Sequence, residues 1–290
     1  MSESRGEKAF SVFVHVVLIA IALTCILPFL HLIALSFSAG HAVDLGQVFF
    51  WPVGLDFTAY EYFFQNTPAW RAFGNSVTIT LVGTALSMLT TILTAYPLSR
   101  RYLYARRPIT TAALFTMLFS GGMIPTYLVM SNLHLTNTYW ALWFSGLVST
   151  YNMLIMKSYF ENIPGEVTES AQIDGCGEMQ LLARIVLPLS LPMLATLTLF
   201  YGVGYWNMFM NVIIYINRTE LQNLTVVVQS MLQIQSMDNM MAMDVMQQQE
   251  LVTEKMKAVG VMVMVVPMLA VYPFLQKYFV KGIMLGSIKG

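Results

Sequence analysis

Glu169-Ser170-Ala171-Gln172-Ile173-Asp174-Gly175-Cys176-Gly177, continued by Ile185-Val186-Leu187-Pro188, is a polar island between two long apolar segments. Its residues predict a short helix, a glycine turn and a second helix. Ala171, Gln172 and Ile173 suit a helix, Gly175 and Gly177 permit positive φ, and Pro188 stops the second helix or redirects it. Asn162 is a candidate N-cap with Pro164 in the first turn, and Glu166 and Glu169 follow near the positive end of the helix dipole. Glu169 and Ile173 lie four apart and share a face, an anionic group beside an apolar one. Beyond the turn, Met179, Leu182, Ile185 and Val186 make a stripe that can lie against a helix bundle. On local pattern alone, a solvated amphipathic connector and a knob gripped by another protein are both open.

Outward from this island the chain is apolar. Of its 290 residues, 57% are hydrophobic and 10% charged, where an ordinary soluble domain carries about 25% charged residues. The fold class is therefore an all-α integral membrane protein. A spanning helix needs about 20 mostly apolar residues, and six segments qualify: residues 11–37, 73–98, 109–130, 139–159, 191–216 and 258–279. The first is too long for a signal-peptide core and is read as a retained helix. Pro28, Pro125, Pro192 and Pro267 fall within or beside these spans, where they predict kinks. Cys25 and Cys176 indicate neither a disulfide framework nor a metal cluster, and no basic face accumulates for nucleic acid.

Basic residues set the orientation. If six helices alternate, Arg5, Lys8, Arg100, Arg101, Arg106, Arg107, Lys157, Arg184, Lys277, Lys281 and Lys289 share one side, and only Arg71, Arg218, Lys255 and Lys257 take the other. By the positive-inside rule both termini and the loop 160–190 are cytoplasmic. The last external loop carries Met237, Met240, Met241, Met243 and Met246, read first as packing residues and second as an adaptable docking surface.

The spans hold almost no ionisable groups. From Ile109 to Met156 there is no Asp, Glu, Lys or Arg, whereas ion-coupled carriers keep such a residue at membrane depth. His15 and His31 read as hydrogen-bonded packing residues rather than a proton relay. No Walker A sequence, His-Glu-x-x-His pair or Gly-x-Ser-x-Gly elbow is present, so the chain shows no catalytic residue, cofactor or metal site of its own. Any energy must come from a partner. For an uncharged ligand, aromatic faces and amides are the relevant chemistry. Tyr151, Asn152, Tyr205, Trp206, Asn207 and Asn211 are the candidates at depth, with interhelical hydrogen bonding as their alternative role.

Glu169-x-Ala171-x-x-x-Gly175 followed by Ile185-x-Leu187-Pro188 resembles the EAA motif of permease subunits of bacterial binding-protein-dependent ABC importers. Gly121-Gly122-Met123-Ile124-Pro125-Thr126-Tyr127, Asn137-Thr138-Tyr139-Trp140-Ala141-Leu142 and the segment Tyr272–Gly282 are similar to the carbohydrate-uptake branch, which includes the six-helix maltose permease subunit and oligosaccharide permeases. The resemblance covers nearly the whole chain. Ser170 and Cys176 stand where that family often has Ala, and Leu182 where an aromatic is common. The resemblance implies a type I importer fold with a cytoplasmic coupling helix between the fourth and fifth spans. It implies that Glu169, Ala171, Ile173, Asp174, Gly175, Ile185, Leu187 and Pro188 form the interface with an ATPase subunit. It further implies a second homologous permease, two copies of the ATPase carrying ATP and magnesium, an external solute-binding protein and a sugar as cargo, all at the bacterial cytoplasmic membrane. The tail Gly286–Gly290 is similar to one that reaches the ATPase dimer. A membrane scaffold recruiting an unrelated cytoplasmic partner, and an ion-coupled secondary carrier, remain the alternatives.

Overall fold

A computed structural model describes residues 5–231 and 250–286. The methionine cluster 237–246 and the tail 287–290 lie outside the described residues. Among them the structure is helical, and the β pairing is a single isolated bridge between Ser38 and Leu55. The helices are α1 (Arg5–Phe37), α2 (Gly40–Asp44), α3 (Thr58–Asn66), α4 (Ala69–Ser99), α5 (Arg106–Leu118), α6 (Met123–Asn132), α7 (Tyr139–Gly146) and α8 (Thr150–Glu161). They continue as α9 (Gly165–Ile173), α10 (Glu178–Leu181), α11 (Leu187–Leu189), α12 (Leu191–Trp206), α13 (Met210–Tyr215), α14 (residues 224–231) and α15 (Glu250–Gly286).

Among the described residues two helices are long and apolar enough to cross a membrane unbroken, Phe10–Phe37 within α1 and all of α4. The expected span 258–279 lies within the continuous helix α15, whereas the other three expected spans are interrupted. The segment 109–130 is not one kinked rod: α5 and α6 meet at 111° across residues 119–122. The cause is Gly122 rather than Pro125. Gly122 has φ +87°, a conformation that only glycine adopts without strain, and Pro125 merely sits in the first turn of α6. The segment 139–159 breaks at residues 147–149, where the Ser149 hydroxyl caps α8 by accepting from the Asn152 N–H. The segment 191–216 breaks at residues 207–209, between α12 and α13. Uninterrupted apolar composition does not reveal such breaks, because hydropathy is blind to the backbone conformation that glycines and caps impose.

The chain divides into two compact units. The first, Met1–Ala69 with Val228–Pro267, has a small core of Ala34, Leu35, Ala42, Val43, Val48 and Ala258. In it Lys255 of α15 donates to the Asp56 carboxylate at 2.6 Å, and Asp56 also accepts from the Thr58 N–H and hydroxyl, both at 2.9 Å, at the start of α3. Phe10–Leu30 of α1 is exposed along its length, as an apolar helix facing lipid or another subunit is. His15 Nδ1 bonds to the Ser11 carbonyl and His31 Nδ1 to that of Phe49, each at 2.7 Å, which fits packing.

The second unit, Trp70–Val227 with Met268–Gly290, holds two larger apolar clusters. One gathers Ile79, Leu142, Trp143, Tyr201, Tyr205 and Val212, and the other Ala95, Tyr96, Met156, Phe160, Leu181 and Val186. Between them α4 presents a ladder of hydroxyls. Ser87 pairs with the Tyr205 hydroxyl at 2.9 Å, Thr91 with that of Tyr201 at 2.7 Å, and Thr90 donates to the Leu147 carbonyl at 2.9 Å. These bonds join helices through side chains that also satisfy themselves in an apolar medium.

Candidate functional site

The polar island folds as a capped helix pair within the second unit. Asn162 does not start α9. Its Nδ2 donates to the Ser158 carbonyl and it closes α8, while Pro164 occupies the N-cap of α9 without a side-chain cap. On α9, Thr168 and Ala171 turn inward, and Glu166, Glu169, Ser170 and Ile173 turn outward. Ile173 is 86% exposed, a large apolar side chain beside the exposed carboxylate of Glu169. Ala171, which the motif suggests for the interface, is buried. It touches the apolar cluster around Leu181, where its small size lets α9 sit close.

The turn after α9 is a Schellman cap. The Cys176 N–H donates to the Ala171 carbonyl and the Gly175 N–H to that of Gln172, each at 3.0 Å, with Gly175 at φ +81°. Cys176 is half-buried and packs with the same cluster as Ala171, the apolar contact that accompanies this cap. A Cβ on Gly175 would meet nothing within 4 Å, so its glycine is required by backbone conformation and not by crowding within the chain.

Glu178 opens α10 and ties three elements together. Its Oε2 accepts from the Tyr96 hydroxyl of α4 at 2.7 Å and its Oε1 from Gln172 Nε2 of α9 at 3.2 Å. The Arg100 guanidinium lies 4.5 Å from the centre of the Tyr96 ring. Partial burial pushes the Glu178 carboxyl up, but hydrogen bonds from Tyr96, Tyr102 and Gln172 and the Arg100 charge outweigh it and hold the group below its ordinary range. Sequence reading missed this clamp. Glu178 at a helix start carries a local signal, but Tyr96 lies 82 positions away and nothing local pairs them.

The second half of the island is a π-helical turn, Leu182–Val186, followed by α11. In a regular α-helix the Pro188 ring would press on the Arg184 carbonyl. The wider turn removes that clash, and the Leu187 N–H donates to Leu182, five residues back. The π turn also changes the phase of the buried stripe: Met179 is exposed, and Leu181 joins Leu182 and Val186 inside. Ile185 and Leu187 are half-buried against the cluster and Pro188 is exposed. After Ser190 the chain bends by 83° into α12. Glu169, Ile173, Asp174, Gly175 and Pro188 are thus exposed, while Ala171, Ile185 and Leu187 hold the loop to the bundle.

The candidates at membrane depth do not form one cluster. Tyr205 is buried in a slot between Gly83 of α4 and Gly146 of α7, and its hydroxyl pairs with Ser87 and donates to the Trp143 carbonyl at 3.3 Å. A Cβ on Gly83 would stand 2.7 Å from its ring. Trp206 is buried edge-to-face with Phe73 at 6.0 Å. Asn152 is buried on α8, whereas Tyr151 beside it is exposed. Asn207 is exposed at the end of α12, and Asn211 donates to the Ser145 hydroxyl at 3.1 Å. Three other amides were not singled out from the sequence. Asn75 donates to the Glu220 and Gln222 carbonyls, Asn137 accepts from the Asn217 and Arg218 N–H groups, and Asn223 caps α14 through the Val226 N–H.

Comparison with known proteins gives this arrangement its context. The family model of the binding-protein-dependent transport system inner membrane component matches residues 103–285. The chain is 40% identical to the polygalacturonan/rhamnogalacturonan transport system permease protein YtcP of Bacillus subtilis, over 98% of this chain and 99% of that one. It is 39% identical to protein LplC of the same organism, over 100% of this chain and 98% of that one. Among solved structures, a bacterial ABC transporter that imports the acidic polysaccharide alginate contains a chain similar at TM-score 0.83 and 28% identity, over 96% of this chain and 99% of that one. With the capped helix pair standing between α8 and α12, this chain belongs to the family of inner membrane components of binding-protein-dependent transport systems, as a membrane permease of an ABC importer.

Proposed function

We propose that this chain is one of two homologous permease subunits of an importer that moves an oligosaccharide across the bacterial cytoplasmic membrane. ATP and magnesium are held by two copies of a separate ATPase subunit, and an external solute-binding protein delivers the cargo. The carrying observation is the outward face of α9, where exposed Ile173 and Glu169 stand on a helix held rigidly by the Schellman cap and the Glu178 clamp. A lever must not bend, and this one is braced to α4 through Tyr96. ATP-driven closure of the ATPase pair draws the coupling helices together, and the bundle opens outward in response.

The cargo class is supported by relatives whose names specify polygalacturonan, rhamnogalacturonan and, for the structural neighbour, the acidic polysaccharide alginate. In this reading the chain crosses the membrane six times, with both termini and residues 160–190 cytoplasmic. The α5–α6, α7–α8 and α12–α13 pairs each form one broken crossing. Tyr151, Asn152, Tyr205, Trp206, Asn207 and Asn211 remain the proposed pathway residues. Purification in gentle detergent tests the assembly: one homologous permease and an ATP-hydrolysing subunit should accompany the chain. A stable homodimer carrying neither would overturn the reading in favour of a membrane scaffold.

A further inference from the structure

The loop between α4 and α5 folds beside α8 around an open cavity of about 1100 Å³, lined by Arg101, Arg106, Arg107 and Lys157 with Tyr104 at its edge. The nearest carboxylate, Glu161, is shared: Arg106 pairs with it, and Lys157 reaches it at 2.8 Å. Arg101 and Arg107 have no carboxylate partner among the described residues. Four cations against one anion leave the pocket strongly positive. Below it, Arg107, Thr111, Leu114 and Leu118 recur at spacings of four, three and four, which places them on one face of α5. Leu114 and Leu118 are exposed, and α5 has no buried residue. A cationic head thus stands directly above an uncovered apolar stripe, flanked by the exposed rings of Tyr102 and Tyr104, aromatics of the kind that sit at a membrane interface.

We propose that this corner binds an anionic phospholipid, with the phosphate held by Arg101 and Arg107 and an acyl chain lying along Leu114 and Leu118. Arginine suits the task because its planar fork grips phosphate oxygens at two points. A soluble phosphate ester shares the headgroup chemistry but leaves the apolar stripe unused, so the amphiphile is the better fit. Glu161 ends α8 three residues before the N-cap of α9, so a lipid seated here braces the root of the capped helix. The proposal rests on the membrane orientation given above only for the choice of the cytoplasmic leaflet.

The test is lipid retention by the assembled complex in mild detergent, counted by native mass spectrometry during titration with phosphatidylglycerol, phosphatidylcholine or soluble glycerol 1-phosphate. Phosphatidylglycerol should be retained preferentially. Arg101→Gln and Arg107→Gln should each lower its retention about fivefold, and the pair about thirtyfold, with Arg107→Lys keeping most of it. Equal retention of both lipids, or full retention by the double variant, would leave these arginines as determinants of topology alone and overturn the site. Binding of glycerol 1-phosphate as tight as that of the lipid would overturn the amphiphile and assign a soluble anion. None of these outcomes bears on the transport reading, which the co-purification decides separately.

Discussion

Gly175 concentrates the local physics of the proposed coupling loop. At φ +81° an L-residue costs about 1–2 kcal/mol, and Asn, which tolerates this region, costs least. Because a Cβ there would touch nothing within the chain, a substitution acts by backbone strain or by what it presents to a partner. Gly175→Asp places a second carboxylate beside Asp174 on the outer rim. It should leave the protein in the membrane at normal levels while abolishing substrate-stimulated ATP hydrolysis in the assembled complex, and Gly175→Asn should keep more of that stimulation. Undiminished stimulation in the Asp variant would remove the coupling assignment. The glycine and the helix before it were legible from composition and spacing. The cap was not, because it depends on which carbonyls the Gly175 and Cys176 N–H groups reach.

Between elements, polar side chains are the joints. Lys255 of α15 is 5% exposed at its side chain and Asp56 27%, so the two ends of this pair are not equivalent. Removing the acid strands a buried ammonium, and Asp56→Asn should cost about 3 kcal/mol or more. Lys255→Met leaves a partly exposed carboxylate still bonded to Thr58 and should cost less, about 1–2 kcal/mol. Thermal unfolding in detergent ranks the two, and equal losses would refute the asymmetry. The hydrogen bond from Lys255, then that from the Thr58 N–H, holds the Asp56 carboxyl at about 2, below its usual 3.8. A depressed acid contributes stability fully above its unfolded value, so wild type should lose this contribution as pH falls from about 4 towards 2, and Lys255→Met should lose less of it. Helix identity and length along α1 and α4 were legible because hydropathy integrates over many residues. The breaks in α5–α6, α7–α8 and α12–α13 were not, since each turns on one to three residues: Gly122 at positive φ, the Ser149 cap, and the turn at residues 207–209.

At the scale of the whole molecule, the charge-free stretch from Ile109 to Met156 argues against the usual device for coupling transport to an ion gradient. The function proposed above uses the other device, an ATP-hydrolysing motor on separate chains. Uptake by cells carrying the complete importer should therefore persist when a protonophore collapses the proton gradient with ATP held constant, and should stop when ATP is depleted. Uptake that collapses with the gradient at constant ATP would restore the ion-coupled alternative.

Sequence by itself determined the solvent of this protein, its helical class, its family and the position of the polar island between two apolar segments. Those properties follow from sums over many residues or from a contiguous motif, and neither depends on distant contacts. Tertiary structure decided which side of each element does what: Ala171 inward and Ile173 outward, Tyr205 locked between Gly83 and Gly146, Glu178 clamped to Tyr96, and Met179 displaced from the buried stripe by a π turn. Each of these is a meeting of residues far apart in the chain or a change in helical phase, and a one-dimensional pattern encodes neither.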